Sequence, residues 1–450
     1  MEAIHLRCAG LDVHKELVVA CVRLVVGSKV TREVRTFPTS TSGLLALLTW
    51  LRAAECIQVA MEATGVYWIP LFEILDARGF QVILVNARHV KNLPGRKSDV
   101  SDCEWLRDLH VLGLLRGSFR PADGIVALRG YLRHRTTLIE SAGALVQRMQ
   151  KAWVQMNVQL PLVVSDITGV TGLRILRDIV AGQRDPQHLA QHRDVRCHAS
   201  AAEIVAALRG NYRPEHVFVL QQNLELFDTY QQQLAACDGA LEAHLAQLAV
   251  TPAPPGSPLP APRRRRKPKA HEPGFDLRTP LHQLTGVDLS QIDGIGPYNA
   301  LRLLSEIGTD MARWPTAKHF TSWLTLAPQN RVSGGRLLNS RTQPSANRAA
   351  AIFRMAAMTL GRTQTALGAF YRRVAFRIGK PKAITATARK LAVLVYRMLK
   401  DHLVYIDPGA EAYEAQDRTR VVRRLRQRAE HLGFGLVNLS TGEVIEGAVS

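Results

Sequence analysis

The stretch AGLDVHKELVVACV, residues 9–22, decides the fold of the amino-terminal part of the chain. Two apolar, β-branched runs flank the polar break HKE, a pattern that predicts a β-hairpin. Asp12 stands among apolar residues at the end of the first run, where an unpaired buried carboxylate would be costly. The sequence therefore predicts a first strand whose aspartate needs a cationic partner.

Strand and helix patterns alternate outward from this hairpin. VTREVRTFP predicts a third strand, GLLALLTWLRAAE a helix, CIQVAME a fourth strand, YWIPLFEILDARG a second helix and QVILVNA a fifth strand. Three hairpin-linked strands followed by crossovers through helices predict a mixed sheet with flanking helices. The expected fold class is α/β plus α, beginning with an RNase H-like or RuvC-like domain.

Three further carboxylates fall where they can join Asp12. Glu62 ends the fourth strand, and Asp99 and Asp102 stand three residues apart near the start of the next helix, although SDCE also fits a capping box beginning at Ser101. Each residue alone is more often a turn cap or a solvated side chain. Together they would repel one another unless divalent ions neutralised them, and oxygen ligands suit Mg²⁺ or Mn²⁺. Their order predicts a metal-dependent, nuclease-like site.

The composition indicates a polyanionic partner. The 450 residues include 58 Lys and Arg against 38 Asp and Glu, giving a net charge of +20, which favours nucleic acid. The sequence contains no apolar run long enough for a membrane span and no signal-peptide pattern, so a cytoplasmic protein without membrane contact is expected. Six scattered cysteines argue against a disulfide framework.

Two long amphipathic helices are predicted in the middle of the chain. The first, from about Leu128 to Trp153, has an apolar stripe, and its other face suggests nucleic-acid contacts through Arg133, Arg135 and Arg148. The second has leucines and Phe227 at heptad positions from residue 220 to residue 248, which favours coiled-coil pairing between chains. A helix packed on its own domain is the alternative.

Basic and glycine-rich segments follow. The run RRRRKPK lies in a Pro-rich linker, and IDGIGPYNA resembles a helix-hairpin-helix whose glycines let backbone N–H groups approach a DNA phosphate. A tight turn without a ligand is the alternative for this second motif. The remaining predicted nucleic-acid-binding residues of the chain are Lys97, Arg263, Arg264, Arg265, Arg266, Gly294, Gly296, Arg331, Arg336, Lys380 and Lys382.

The motifs GLDVHKE, MEATGVYW, NARHVKNLPGRKSDVSDCEWL, IDGIGPYNA, LTLAPQNRVSGGR and GKPKAITATARKL, in this order, resemble those of the DEDD transposases of insertion sequences. These bridge-RNA-guided recombinases join a RuvC-like domain to a serine-bearing transposase domain. The resemblance covers about residues 5–155 and 281–400. The segment NSRTQPSANRA, the Pro/Arg insert and about 50 residues after the last matching helix depart from the family pattern.

The resemblance implies an acidic, Mg²⁺-binding tetrad at Asp12, Glu62, Asp99 and Asp102. It implies that Ser333, in VSGGR, attacks a DNA phosphate and forms a phosphoserine intermediate, with Ser340 and Ser345 as rival nucleophiles. The composite active site would include another protomer's RuvC-like domain, which favours a homodimer or homotetramer. The implied partners are donor DNA, target DNA and an element-encoded guide RNA, in a bacterial or archaeal, nucleoid-associated setting.

Five segments are expected on this basis. They are a RuvC-like domain at 1–157, a helical or coiled-coil segment at 158–250, a Pro/Arg-rich basic linker at 251–280, an α-helical transposase domain with the helix-hairpin-helix-like motif at 281–402, and a charged tail at 403–450.

Two rival functions stay open. One is a metal-dependent nuclease of the Holliday-junction-resolvase kind that uses activated water, and the other is a nucleic-acid-binding protein without catalysis.

Overall fold

A computed structural model describes residues 4–26, 29–63, 65–86, 102–249, 258–263, 269 and 271–442. By the density of contacts the chain divides into two compact units, Met1–Arg120 and Pro121–Ser450. We call them the sheet unit and the helical unit and describe each by itself.

The sheet unit is built on a five-stranded mixed sheet. Its strands are β1 (Cys8–Val13), β2 (Leu17–Val26), β3 (Lys29–Pro38), β4 (Gln58–Glu62) and β5 (Gln81–Val85). Their order across the sheet is β3-β2-β1-β4-β5, with β1 to β3 antiparallel and β4 and β5 parallel to β1. This is the predicted RuvC-like arrangement, and β1 lies at its centre.

Helices cover both faces of this sheet. They are α1 (Thr41–Ala53), which begins where the Ser40 hydroxyl accepts from the Gly43 amide, α2 (Trp68–Asp76) and α3 (Asp102–Val111). Apolar residues of α1 and α2 form one core with the odd-numbered residues of β1, Leu11 among them. The even-numbered residues of β1 lie on the other face, because side chains alternate along a strand, and α3 packs there.

The helical unit contains two long helices and many short ones. Its first helices are α4 (Asp123–Gln155), α5 (Leu160–Val163), α6 (Val170–Val180), α7 (Pro186–Ala190), α8 (Ala201–Ala207) and α9 (Pro214–Ala249). Then follow α10 (Arg278–Thr285), α11 (Pro297–Ile307), α12 (Ala317–Trp323), α13 (Arg348–Leu360), α14 (Ala366–Ile378), α15 (Lys380–Asp401) and α16 (Gly409–His431). A small hairpin, β6 (Arg331–Ser333) and β7 (Arg336–Asn339), lies between α12 and α13.

Helices α4 and α9 pack antiparallel along their length. His244 Nε2 lies 2.8 Å from the Gly124 carbonyl, and Arg135 pairs with Asp238, so residue numbers fall along α9 as they rise along α4. Leu220, Leu224 and Phe227 of the heptad seam are buried in a core shared with α4. These seam residues therefore pack within their own domain, as the alternative prediction has it. Coiled-coil pairing between chains stays a prediction.

Two predicted segments are more structured than expected. Helix α10 begins at Arg278, within the linker predicted at 251–280. Residues 409–431 of the predicted tail form α16, which packs on α14 with an ion pair between Asp417 and Arg373. None of the helices in the described part of the chain is both long and apolar enough to cross a membrane.

Candidate functional site

Two of the predicted carboxylates lie side by side at the carboxyl ends of parallel strands. In the β1–β4 register Gly10 faces Ala60 and Leu11 faces Met61, and Asp12 and Glu62 are the next residues of the two strands. Paired residues of neighbouring strands project to the same face. The central position of β1, with β4 next to it, therefore presents both carboxylates on the face that α3 covers.

Gly10 lets helix α3 approach this face closely. A Cβ atom at residue 10 would lie 2.1 Å from the Cys103 carbonyl oxygen and 2.6 Å from the Arg107 amide nitrogen. The first turn of α3 therefore rests directly on β1, two residues before Asp12. Helix α3 begins at Asp102, one residue before the Cys103 contact.

A histidine contacts the first carboxylate. His14 Nε2 lies 3.0 Å from Asp12 Oδ2, and His14 comes directly after the end of β1. The Asp12 side chain is 25% exposed, so it is open to solvent but backed by a buried strand. Sequence analysis missed His14, although its spacing of two from Asp12 was the available signal, and it missed the requirement for glycine at residue 10.

A buried guanidinium supports this face from within. Arg107 is 1% exposed, donates to Asp108 Oδ1 and to Cys21 Sγ, and so joins α3 to β2. Two causes raise the pKa of the Cys21 thiol and keep it neutral: the larger is a side-chain hydrogen bond with Cys103, and the second is burial. The neutral Cys21 thiol contributes no negative charge to this face.

Asp99 and Lys97 lie outside the described residues, so the tetrad is seen in three of its four members. The three are carboxylates near the ends of two adjacent strands and at the start of α3, and they do not form one of the close ligand groups found among the described residues. Such a donor set suits a hard divalent cation. Their metal-binding and catalytic roles stay predictions.

Ser333 lies on the exposed β6–β7 hairpin. It is the last residue of β6 and pairs with Arg336 across a two-residue turn in which Gly334 has φ +55° and Gly335 has φ +74°. Positive φ at both positions is typical of a tight turn that matches the twist of a hairpin and favours glycine. The turn was predicted from the sequence, whereas the strands on either side of it were not. Both strands are exposed along their full length.

The rival nucleophiles follow closely. Ser340 comes directly after β7 and is exposed, and the Ser345 hydroxyl accepts from the amide of Asn347 just before α13. All three serines therefore belong to one exposed segment, and exposure does not separate them.

The predicted nucleic-acid-binding residues fall into different environments. Arg148 is exposed on α4, Arg331 and Arg336 are exposed on the hairpin, and Lys380 and Lys382 are exposed in the first turn of α15. Arg264, Arg265 and Arg266 lie outside the described residues. These positions stay predictions for phosphate contacts.

Arg135 requires a correction. It is 3% exposed, and its guanidinium donates to Asp238, to the carbonyl oxygen of His271 and to the Tyr298 hydroxyl. A guanidinium so enclosed serves internal packing and is not presented to a phosphate. The prediction failed because α4 has partners on two sides, α9 and α11, while its sequence pattern shows one apolar stripe.

Two other arginines are engaged within the helical unit. Arg133 bonds to both carboxylate oxygens of Glu306 on α11 while staying 46% exposed. Arg263 donates to the Gln291 carbonyl, just before the glycine-rich motif, and to Asp293 within it. Either side chain would have to leave its acidic partner, or share it, in order to contact a phosphate.

The glycine-rich motif forms a turn between helices. Gly294 has φ +84°, and a Cβ atom there would lie 2.9 Å from the Ala356 carbonyl on α13, while Gly296 caps α11. The requirement for glycine at residue 294 is thus explained by backbone conformation and by packing. This geometry is that of the tight-turn alternative, and phosphate binding by the motif stays a prediction.

Comparisons with protein families agree with this architecture. A model of the DEDD transposase domain of the IS110 type matches residues 9–157, and a model described as transposase IS116/IS110/IS902 family matches residues 288–372. The chain belongs to the DEDD insertion-sequence transposase family. The first match contains β1, β4 and α3 with their carboxylates, and the second contains the glycine-rich turn and the hairpin of Ser333. No curated protein matches the chain.

Membership gives the coarse function directly. The protein is a transposase, an enzyme that cuts or recombines DNA, and DNA is its substrate. The strongly positive net charge is consistent with that substrate.

Proposed function

We propose that this transposase cuts and rejoins DNA through a phosphoserine intermediate on Ser333, with Asp12, Glu62, Asp99 and Asp102 holding Mg²⁺ or Mn²⁺. The observation that carries the proposal is the placement of Asp12 and Glu62 on adjacent parallel strand ends, beside the start of α3. Bound divalent ions would supply charge neutralisation at a phosphodiester and favour ionisation of an attacking hydroxyl. The residues present fit such ions, since the donors are carboxylate oxygens.

The serine step has a simple atomic balance. The Ser333 Oγ forms a bond to phosphorus as the bond from phosphorus to the leaving DNA oxygen breaks, and the serine proton passes to solvent or to a base. Attack by a DNA hydroxyl on the phosphoserine then rejoins the strand and restores the serine. An exposed hairpin gives the hydroxyl access to a phosphate, and Arg331 and Arg336 beside it offer positive charge to the reacting group.

Asp12 and His14 act together in this proposal. The hydrogen bond between them orients the carboxylate, and the buried strand behind Asp12 keeps its backbone fixed. Preorganised ligands of this kind avoid a reorganisation cost when the charged substrate arrives. We further propose that an element-encoded RNA selects the DNA sites and that protomers combine in the active complex.

The deciding experiment detects DNA attached covalently to the protein. Purified protein, Mg²⁺, RNA transcribed from the flanks of its coding region and labelled element-end DNA are incubated, denatured and separated. We expect an adduct that Ser333→Ala abolishes and that Asp12→Ala also prevents. Ser340→Ala and Ser345→Ala are matched controls on the same exposed segment and should leave the adduct in place.

Each other outcome assigns a different chemistry. Metal-dependent cleavage without an adduct, unchanged in Ser333→Ala, would identify a nuclease that uses activated water. Loss of the adduct in Ser340→Ala or Ser345→Ala alone would move the nucleophile to that serine. An adduct that forms equally well without RNA would remove the RNA from the mechanism, and binding without any cleavage would identify a protein with no catalytic role.

A further inference from the structure

Two imidazoles and a carboxylate converge at the surface of the helical unit, on residues that the transposase chemistry does not use. His188 on α7, His192 just after it and Asp178 on α6 each offer one ligand atom, and these three atoms lie within 4.8 Å of one another. Asp178 Oδ2 is 2.5 Å from His192 Nε2 and 3.6 Å from His188 Nε2. We call this group the His–Asp cluster.

We propose that the His–Asp cluster binds a Zn²⁺ ion that joins α6 to α7. Two neutral imidazoles and one carboxylate, completed by water, are a ligand set that zinc accepts in tetrahedral geometry. Mg²⁺ and Ca²⁺ prefer ligand sets made of oxygen, so the cluster and the carboxylate face of the sheet unit differ in the metal they select. The inference does not depend on the serine mechanism.

The observed distances suit that geometry. Ligand atoms about 2.0–2.2 Å from a tetrahedral zinc lie roughly 3.3 Å apart. The 3.6 Å separation between Asp178 and His188 is close to this value, and the 2.5 Å contact with His192 is a hydrogen bond that must open by less than about 1 Å.

Sequence spacing and backbone contacts hold the ligands in place. The two histidines are four residues apart, and their ring centroids lie 6.1 Å from each other. The Asp185 side chain accepts from the amides of Gln187 and His188, which fixes the start of α7. After the helix, the Arg193 guanidinium donates to the carbonyl oxygens of Cys197 and Ala199.

The cluster is rigid beneath and open above. Ile179 and Leu189, which are neighbours of the ligands along the chain, are fully buried in the core of the helical unit. The ligand side chains themselves are exposed by 33% for Asp178, 49% for His188 and 28% for His192. A fixed backbone with accessible ligand atoms lets an ion enter and leaves room for a water ligand.

The competing explanation is an ordinary ion pair between Asp178 and a protonated histidine. An ion pair would need one histidine only, whereas the cluster orients two toward the same carboxylate oxygen. The ion-pair explanation also predicts no specific uptake of zinc. Metal content and ligand geometry, measured directly, separate the two explanations.

The test uses the full chain, stripped with a chelator and kept in excess Mg²⁺ so that the carboxylates of the sheet unit are occupied. Zinc binding is measured by competition with a coloured chelator, and Co²⁺ is used as a spectroscopic probe because tetrahedral sites give strong visible bands. We expect one zinc per chain. His188→Ala and His192→Ala should weaken binding by more than the roughly 10–100-fold that loss of an outer-shell partner costs.

His134→Ala is the matched control, since His134 is an exposed histidine on α4 of the same unit, and it should bind zinc as the parent protein does. Asp178→Asn, which keeps the size of the side chain, should also weaken binding. Unchanged affinity in the double variant His188→Ala/His192→Ala would overturn the proposal. Absence of visible cobalt bands in the parent protein would overturn it without any variant.

Discussion

The carboxylate face of the sheet unit and the serine hairpin of the helical unit are built in opposite ways. Asp12 projects from a central, buried strand against which α3 packs so closely that residue 10 must be glycine. Ser333 projects from a two-stranded hairpin that is exposed throughout and held by its own ladder and turn. The proposed roles match this difference, because a group that holds a metal ion needs fixed geometry and a nucleophile that must reach a DNA phosphate needs access.

Of the substitutions that test this comparison, replacement of Gly10 has the largest expected effect on the free energy of unfolding. The Cβ of Gly10→Ala would meet backbone atoms of α3, which cannot rotate away, so the helix must shift. We expect the sheet unit to lose about 3 kcal/mol or more of unfolding free energy. Urea unfolding, with hydrogen exchange of peptides from α3, measures the loss.

Gly130→Ala is the control, because a Cβ at residue 130 on α4 meets nothing within 4 Å. It should be neutral or slightly stabilising, as expected for glycine replaced by alanine in a helix. A sheet unit that tolerates Gly10→Ala would show that α3 is loosely placed, and the contrast with the hairpin would disappear.

Acid should weaken the same face by a smaller amount. His110 on α3 is 1% exposed, and burial together with the nearby His5 lowers its pKa from 6.5 to about 4. Above pH 6.5 the ring is neutral in both folded and unfolded chains. As the pH falls from 6.5 toward 4, His110 becomes protonated in the unfolded chain but stays neutral in the folded chain. The free energy of unfolding therefore falls by up to about 3 kcal/mol.

The variant His110→Phe isolates this effect. Within the described residues Nε2 of His110 has no hydrogen-bond partner, so an apolar ring of similar size removes the titration without breaking a bond. Hydrogen exchange of α3 between pH 7 and pH 4 should change less in the variant than in the parent protein. Equal pH dependence of α3 exchange in the two proteins would contradict the assignment to His110. Hydrogen exchange of the β6–β7 hairpin should depend on pH in the same way in the variant and in the parent protein.

Much of the sheet unit could be predicted from the sequence because alternation and turn residues are local signals. The succession of strands and helices along the chain, the hairpin of β1 and β2 and the position of Glu62 at a strand end all follow from them. The pairing of β4 with β1, which places the strand ends of Asp12 and Glu62 next to each other, and the need for Gly10, which comes from the approach of α3, both depend on long-range contacts and are not encoded locally.

The helical unit was less predictable for a related reason. Periodicity indicates that one face of a helix is buried, but it does not say how many partners the helix has. Arg135 therefore looked like a solvent-facing cation, although Asp238 and Tyr298 enclose it. The hairpin strands were missed because they are short and fully exposed, so they have no apolar alternation.

The smallest expected effect comes from the hairpin turn. Gly335 has φ +74°, and Gly335→Ala places a side chain in the left-handed region at a cost of about 1–2 kcal/mol. Because β6 and β7 bury none of their residues, this strain should shift the local hairpin equilibrium and leave the global unfolding free energy within about 0.5 kcal/mol of the parent value. If Ser333 is the nucleophile, the rate of adduct formation in a single turnover should fall about fivefold, the rate equivalent of 1 kcal/mol.

Gly334→Asn is the matched control at the neighbouring position, since asparagine accepts positive φ at the first residue of such a turn. It should keep both the stability and the adduct rate. A global loss above about 1 kcal/mol in Gly335→Ala would mean that the hairpin carries part of the unit's packing. An unchanged adduct rate would mean that the turn does not position the nucleophile. Either result would contradict the contrast between a carboxylate face fixed by packing and a serine on an exposed, independent hairpin.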